Sequence, residues 1–316
     1  MNNLKKLGLT ALAGSLVTST AYAGALDVSG SAKMTYKSQD DTEVTGNSFS
    51  TSKGITFSGS GDLDNGMTMS YTYTMTDAAF SSTSVMIDMG EMGSLGIGNS
   101  AGTAGLPAFD SIIPTAGEEV WDDTDTDDNG IATHSKVNSI DYIGSFGGFG
   151  LSAAYVNDGS GSSSDGSMVL TYDGLMDGLQ LGYGQGEDSV DLDLETFFVK
   201  YTVGGITAAF QRSDLNAAGA SSDEESDAMG FSFAVNENLS ISYGVHDVDF
   251  GAANKADEES SGISASYTMG SMTITGISNS TDNVAGTDAS NDSYREVTVA
   301  LSLIHISEPT RPLYIS

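Results

Sequence analysis

Met67-Thr-Met-Ser-Tyr-Thr-Tyr-Thr-Met-Thr76 alternates an apolar with a polar side chain at every step. In an extended chain successive side chains point to opposite faces. The run therefore has an apolar face of Met67, Met69, Tyr71, Tyr73 and Met75, and a hydroxyl face between them. A helix would scatter both sets around its circumference, so the run is a strand with two different neighbours.

The same period spreads outward in both directions. Leu26, Val28, Met34 and Tyr36 alternate with Asp27, Ser29, Lys33 and Thr35. Leu239, Ile241, Tyr243 and Val245 alternate with Ser240, Ser242, Gly244 and His246. Sixteen such segments are predicted, at about 26–37, 53–61, 67–76, 83–89, 94–99, 138–145, 149–157, 167–173, 178–185, 194–203, 205–213, 227–235, 238–248, 261–269, 271–280 and 293–302. The connections alternate in length. Short ones such as Asp62-Leu-Asp-Asn-Gly66 and Phe146-Gly-Gly148 carry hairpin chemistry. Long ones, at 38–52, 77–82, 100–137, 158–166, 186–193, 214–226, 249–260 and 281–292, are rich in Ser, Asp, Glu and Gly.

Short turns at one end and long loops at the other mean two different environments, the layout of an outer-membrane barrel. Hydrocarbon cannot satisfy free backbone groups, so strands that span it must close on themselves. About 9–11 residues per spanning strand leave ample chain for loops. The expected fold is all-β, a transmembrane antiparallel β-barrel of about 16 strands, wide enough for an aqueous channel. The Ser, Thr and Gly faces suit a wetted wall. Tyr36, Tyr73, Phe149, Tyr155, Tyr172, Phe210, Phe231 and Tyr267 are candidates for interfacial girdles.

Composition narrows the function. The 316 residues include 11 Lys+Arg against 43 Asp+Glu, a formal net charge of -32. So acidic a chain is no nucleic-acid partner, because phosphate requires a basic surface. With no cysteine, disulfide scaffolds and cysteine-based zinc sites are excluded. Charge imbalance alone suggests disorder, but 39% hydrophobic residues with 12 Phe and 13 Tyr argue for a folded protein.

The ends stand apart. Residues 1–23 read as a signal peptide, with Lys5 and Lys6, an apolar stretch from Leu7 to Val17, and a small-x-small site at Ala21-Tyr22-Ala23. Leu301 to Arg311 reads as a translated sequencing adapter, and 303–316 is set aside as a non-native tail. The barrel domain is 24–302. Without Lys5, Lys6, Arg311 and Glu308, the remainder has 8 basic and 42 acidic residues. These acids are expected in the loops, leaving the strands nearly uncharged.

The ordered set Val28-Ser-Gly-Ser-Ala-Lys33, Gly93-Ser-Leu-Gly-Ile-Gly98, Gly105-Leu-Pro-Ala-Phe109 and Val137-Asn-Ser-Ile-Asp-Tyr142 resembles the Gram-negative general porins, of alphaproteobacterial type. The resemblance covers 24 to about 302. It implies an outer-membrane location, a homotrimer, contact with outer-membrane lipid and lipopolysaccharide, and recognition by the outer-membrane assembly machinery. It also implies that the long third loop folds into the lumen and narrows the pore. Such porins end in a strand with a terminal aromatic, which the tail displaces here.

The third loop carries an acidic run, Glu118, Glu119, Asp122, Asp123, Asp125, Asp127 and Asp128. A solvated surface loop is the plain reading of such a run. The resemblance implies instead that loop acids face basic residues of the wall, and Lys33, Lys37 and Lys200 lie on polar faces, with Lys136 at the loop's end. Acids in a low-dielectric constriction favour cations. The expected solutes are small and hydrophilic, moving by passive diffusion. A substrate-selective channel with a lumenal site, or a non-conducting structural or adhesive barrel, are the alternatives.

Asp123, Asp125, Asp127 and Asn129 offer hard oxygen ligands for calcium, although position 12 of a calcium loop starting at Asp125 would be Lys136. No cofactor is required. Catalysis is not expected: His134 and His246 are the only histidines before the tail, and abundant serine makes a nearby hydroxyl uninformative.

Overall fold

The computed structural model describes residues 26–39, 47–99, 104–122, 124, 131, 138–157, 165–187, 192–216 and 223–303. Sixteen strands follow one another: β1 (Asp27–Gln39), β2 (Phe49–Asp62), β3 (Thr68–Thr76), β4 (Ala79–Asp88), β5 (Ser94–Asn99), β6 (Ser139–Phe146), β7 (Phe149–Val156) and β8 (Asp165–Tyr172). They continue as β9 (Leu179–Glu187), β10 (Asp193–Val203), β11 (Ile206–Asn216), β12 (Glu224–Ala234), β13 (Leu239–Phe250), β14 (Glu258–Met269), β15 (Met272–Asp282) and β16 (Asp292–Leu303). Each pairs antiparallel with its sequence neighbours, and β1 pairs with β16, so the sheet is a closed barrel. Closure leaves no edge strand among the described residues, as hydrocarbon demands.

The registers follow the period-two pattern. Tyr71 faces Val85 and Gly59 across the ladder, and Thr72 faces Ser58 and Ser84. Paired residues share a face, so the apolar sets form one continuous outer surface and the hydroxyl sets one lumenal surface. All eight candidate girdle aromatics stand on the outer face. Several meet across strands: Phe149 stacks on Tyr172 at 4.5 Å, and Tyr36 lies 5.1 Å from Phe49. Among the described residues no helix is long and apolar enough to cross a membrane.

Two expectations change. The connection expected at 77–82 is a two-residue turn: Asp77 and Ala78 both adopt positive φ (51° and 69°), the twist that closes a tight hairpin. Nor are the acids confined to loops. On their outer faces β10 to β15 carry Glu195, Asp214, Glu225, Asp227, Asp247, Glu259 and Asp282. These strands run 11 or 12 residues and extend past the expected boundaries at the long-loop end. The extra turns of sheet stand in the headgroup region, where a carboxylate costs little.

Candidate functional site

The third connection enters the lumen and follows the wall. Gly105 N–H donates to Ser152 Oγ of β7 and Leu106 N–H to Ser167 Oγ of β8, both at 3.0 Å. The Phe109 ring meets Phe198 of β10 edge-on, centroids 4.8 Å apart, and its carbonyl accepts from Gln211 Nε2 of β11 at 3.0 Å. Ala116 N–H donates to Ser242 Oγ of β13 at 2.9 Å. Asn279 Nδ2 of β15 donates to the Glu119 carbonyl at 3.2 Å. The described part of the loop has no strand ladder of its own, and wall hydroxyls and amides bond its backbone.

Glycines on the lumenal faces make this approach possible. A Cβ at Gly184 of β9 would lie 2.9 Å from Leu106 Cδ2. One at Gly230 of β12 would lie 2.6 Å from Ile113 Cγ2, and one at Gly244 of β13, 3.0 Å from Val120 Cγ1. Leu106, Phe109, Ile112, Ile113, Val120 and Trp121 form a buried apolar cluster with Val169, Leu194 and Phe198 of the wall. Trp121 covers His246 of β13 at 4.6 Å, and His246 Nε2 meets Ser226 Oγ at 2.7 Å. The wetted wall expected on every strand is therefore confined to part of the circumference. Over β7–β15 the glycines and small residues hold the loop, and the contact is buried.

The loop reaches β1 at its tip. Glu118 Oε1 lies 3.5 Å from Lys33 Nζ. Lys33 also lies 3.7 Å from Glu296 Oε1, and Lys37 lies 3.6 Å from Glu296 Oε2. Glu296 is only 2% exposed, and it also accepts from Tyr294 Oη at 2.6 Å and from the Thr298 hydroxyl. Four partners can satisfy a buried carboxylate that would otherwise be costly. Glu119 is different. Burial pushes its carboxyl above the usual range, and the charges of Asp110 and Glu118 add to the rise. Hydrogen bonds to its carboxyl from its own backbone and from the Asp122 side chain oppose it; separately, the Glu119 N–H donates to Asp122 Oδ2 at 3.1 Å.

Among the residues marked in the sequence, Lys33, Lys37, Glu118, Glu119 and Asp122 gather in this region. Lys200 lies apart, on the lumenal face of β10 opposite Gln180 and Ala209. Asp123, Asp125, Asp127, Asp128, Asn129 and Lys136 lie outside the described residues. Glu296 was not marked, although its parity with Thr298 placed it in the lumen. Nor were Leu106, Ile113 and Val120, whose partners are glycines and leave no apolar signal opposite them.

The model of the Gram-negative porin family matches residues 8–302. The chain is a Gram-negative porin. Its fold is that of solved porins: an Rh. blastica porin mutant superposes with a TM-score of 0.64 at 15% identity, over 88% of this chain and 100% of that one. A second Rh. blastica mutant gives 0.63 at 17%. A triple mutant of the Rhodopseudomonas blastica porin gives 0.62 at 16%, both with the same coverage of 88% and 100%. No curated protein matches the chain. This porin is an integral protein of the outer membrane, and its barrel forms the channel wall.

Proposed function

We propose that this porin conducts small hydrophilic solutes and ions by passive diffusion, with preference for cations. The observation that supports the preference is the state of the lumenal bases. Lys33 and Lys37 are already neutralised by Glu118 and Glu296. The described part of the loop, 104–122, carries four acids, Asp110, Glu118, Glu119 and Asp122, and no basic residue. Fixed acids in a narrow, low-dielectric opening concentrate cations there. Selectivity then arises from width and charge, without a binding step. Reversal potentials in a potassium chloride gradient test it: a cation-directed potential is expected, and an anion-directed one overturns the reading.

The oligomer is proposed to be a homotrimer, as the family resemblance implies. One feature of the barrel supports close protein contact on one side. β5 has 6 residues and β6, β7 and β8 have 8 each, fewer than the roughly 9–11 that span a bilayer. Outer residues there, such as Leu95, Ile97 and Ile140, are exposed in the single chain. A neighbouring protein wall covers such a stretch better than lipid does. Conductance steps in multiples of three, from protein ending in a native-like terminal strand, are the expected result. Calcium at Asp123, Asp125, Asp127 and Asn129 rests on the sequence alone. Protection of the loop from proteolysis on calcium titration would support it.

A further inference from the structure

Alternation along β16 turns Tyr294, Glu296 and Thr298 into the barrel, where all three are buried. It turns Arg295 and Val297 outward, where both are exposed. The register sets Arg295 beside Ser38 of β1 and beside Ser278 of β15. Three polar side chains thus form a row across three strands, on a face that is otherwise apolar at this height. One row closer to the membrane centre, Val297 lies between Tyr36 and Gly276, and Gly276 lies beside Ala265. A groove of about 790 Å³ follows these rows, with Gly276 and Ala265 as its floor and Tyr36, Val297, Ile263 and Tyr243 along its sides. A Cβ on Gly276 would meet nothing within 4 Å, so the groove is open at its floor.

The charge pattern singles out Arg295. Three basic residues face outward among those described. Lys53 pairs with Asp77 at 3.1 Å, and Arg212 pairs with Asp227 and Glu225. Arg295 has no hydrogen-bond or ion-pair partner among the described residues. The outer acids of β10 to β14 continue to Asp282 of β15 and stop before it. Tyr36 and Phe49 mark the interface one row below. A guanidinium at headgroup height, hydrated less strongly than an ammonium, matches a phosphate with two parallel hydrogen bonds. The acids alongside repel the same phosphate, so an anionic lipid is directed to this notch.

We propose that Arg295, with Ser38 and Ser278, holds the phosphate of an outer-leaflet lipid whose acyl chain lies along Gly276 and Ala265. The proposal concerns the lipid-facing side and is independent of conduction through the lumen.

Native mass spectrometry of the folded full chain in detergent tests it. The probes are bis-phosphorylated lipid A, the same lipid with its phosphates removed, and inorganic phosphate. The intact chain is expected to retain the phosphorylated lipid, and to bind the dephosphorylated one about tenfold more weakly, the scale of a lost charge-assisted contact. Arg295→Gln is expected to remove that difference. Gly276→Leu fills the groove and is expected to weaken both lipids. Lys53→Gln, on β2 and paired with Asp77 outside the groove, should change neither. Channel conductance should be unaffected by all three, which separates this site from the pore. Equal binding of the two lipids, unchanged binding in Arg295→Gln, or inorganic phosphate binding as tightly as lipid would each overturn the proposal. So would a smaller oligomer on Gly276→Leu, which would mean that a second copy of the chain fills the groove.

Discussion

The lumenal wall has two unlike arcs. Over β2–β4 its inward residues, among them Ser52, Thr56, Thr72, Thr74 and Ser84, are half-buried. Over β10–β15 the inward residues Thr196, Phe198, Gln211, Ala228, Ser242, Ser264 and Ile277 are buried beneath the loop. Both arcs are built of small and hydroxylated residues. In the first the hydroxyls bond one another, as Thr56 does with Thr74 at 3.1 Å. In the second they bond the backbone of a loop. The same chemistry therefore makes a channel surface or a docking surface, according to whether glycines and an aromatic such as Phe198 leave a seat for apolar side chains.

Substitutions on the two arcs should behave differently. Phe109→Ala removes the ring that packs edge-on against Phe198, and about 3–5 kcal/mol of anchoring with it. The expected result is a loop cleaved by protease and a larger, noisier conductance; Thr72→Ala on the open arc should leave both unchanged. If Phe109→Ala conducts like the parent, the loop is held elsewhere. Gly230→Val forces a side chain against Ile113 and should cost about 1–3 kcal/mol by overpacking. Denaturant melting of the loop, followed by Trp121 fluorescence, reads it.

Charge gives smaller effects on stability and larger ones on selectivity. Glu119 is raised, so the folded protein takes up its proton at a higher pH than the unfolded chain does. In the window between the ordinary carboxylate value and the raised one, acidification should tighten the loop, because there the folded state binds more protons. The same titration removes a lumenal negative charge. Cation preference should begin to fall above the ordinary carboxylate range, and Glu119→Gln should abolish that early part of the pH profile. A profile identical in parent and variant would exclude Glu119 from the permeation path. Lys33→Gln loses the partly exposed Lys33–Glu118 pair, worth less than about 1 kcal/mol, together with one of the four partners of buried Glu296, so it should cost more than the surface pair alone. It removes a positive charge from the lumen, so the cation-to-anion permeability ratio from reversal potentials should rise.

Strand number, faces and order can be read along the chain because each depends on local signals. Period-two alternation assigns every side chain to lipid or lumen, and Asn-Gly and Gly-Gly turns fix neighbouring pairs. Alternation likewise puts Lys33 on a polar face, whereas for Glu118, in the loop, only the family resemblance points to the wall lysines. The loop's path could not be read, because its partners are far apart in sequence: Gln211 meets Phe109 across 102 positions, and Asn279 meets Glu119 across 160. Nor does a lumenal glycine announce whether it faces water or a leucine.

The strong acidity of the chain divides accordingly. Sequence alone determined a closed barrel with an apolar outside and a hydroxylated inside, because the pleat allows each residue only two directions. Tertiary structure decided which arc is covered, that Glu296 holds two lysines, and that Arg295 stands apart at the end of an acidic rim. Those outcomes depend on which strands are brought together when the sheet closes, and no local period encodes that.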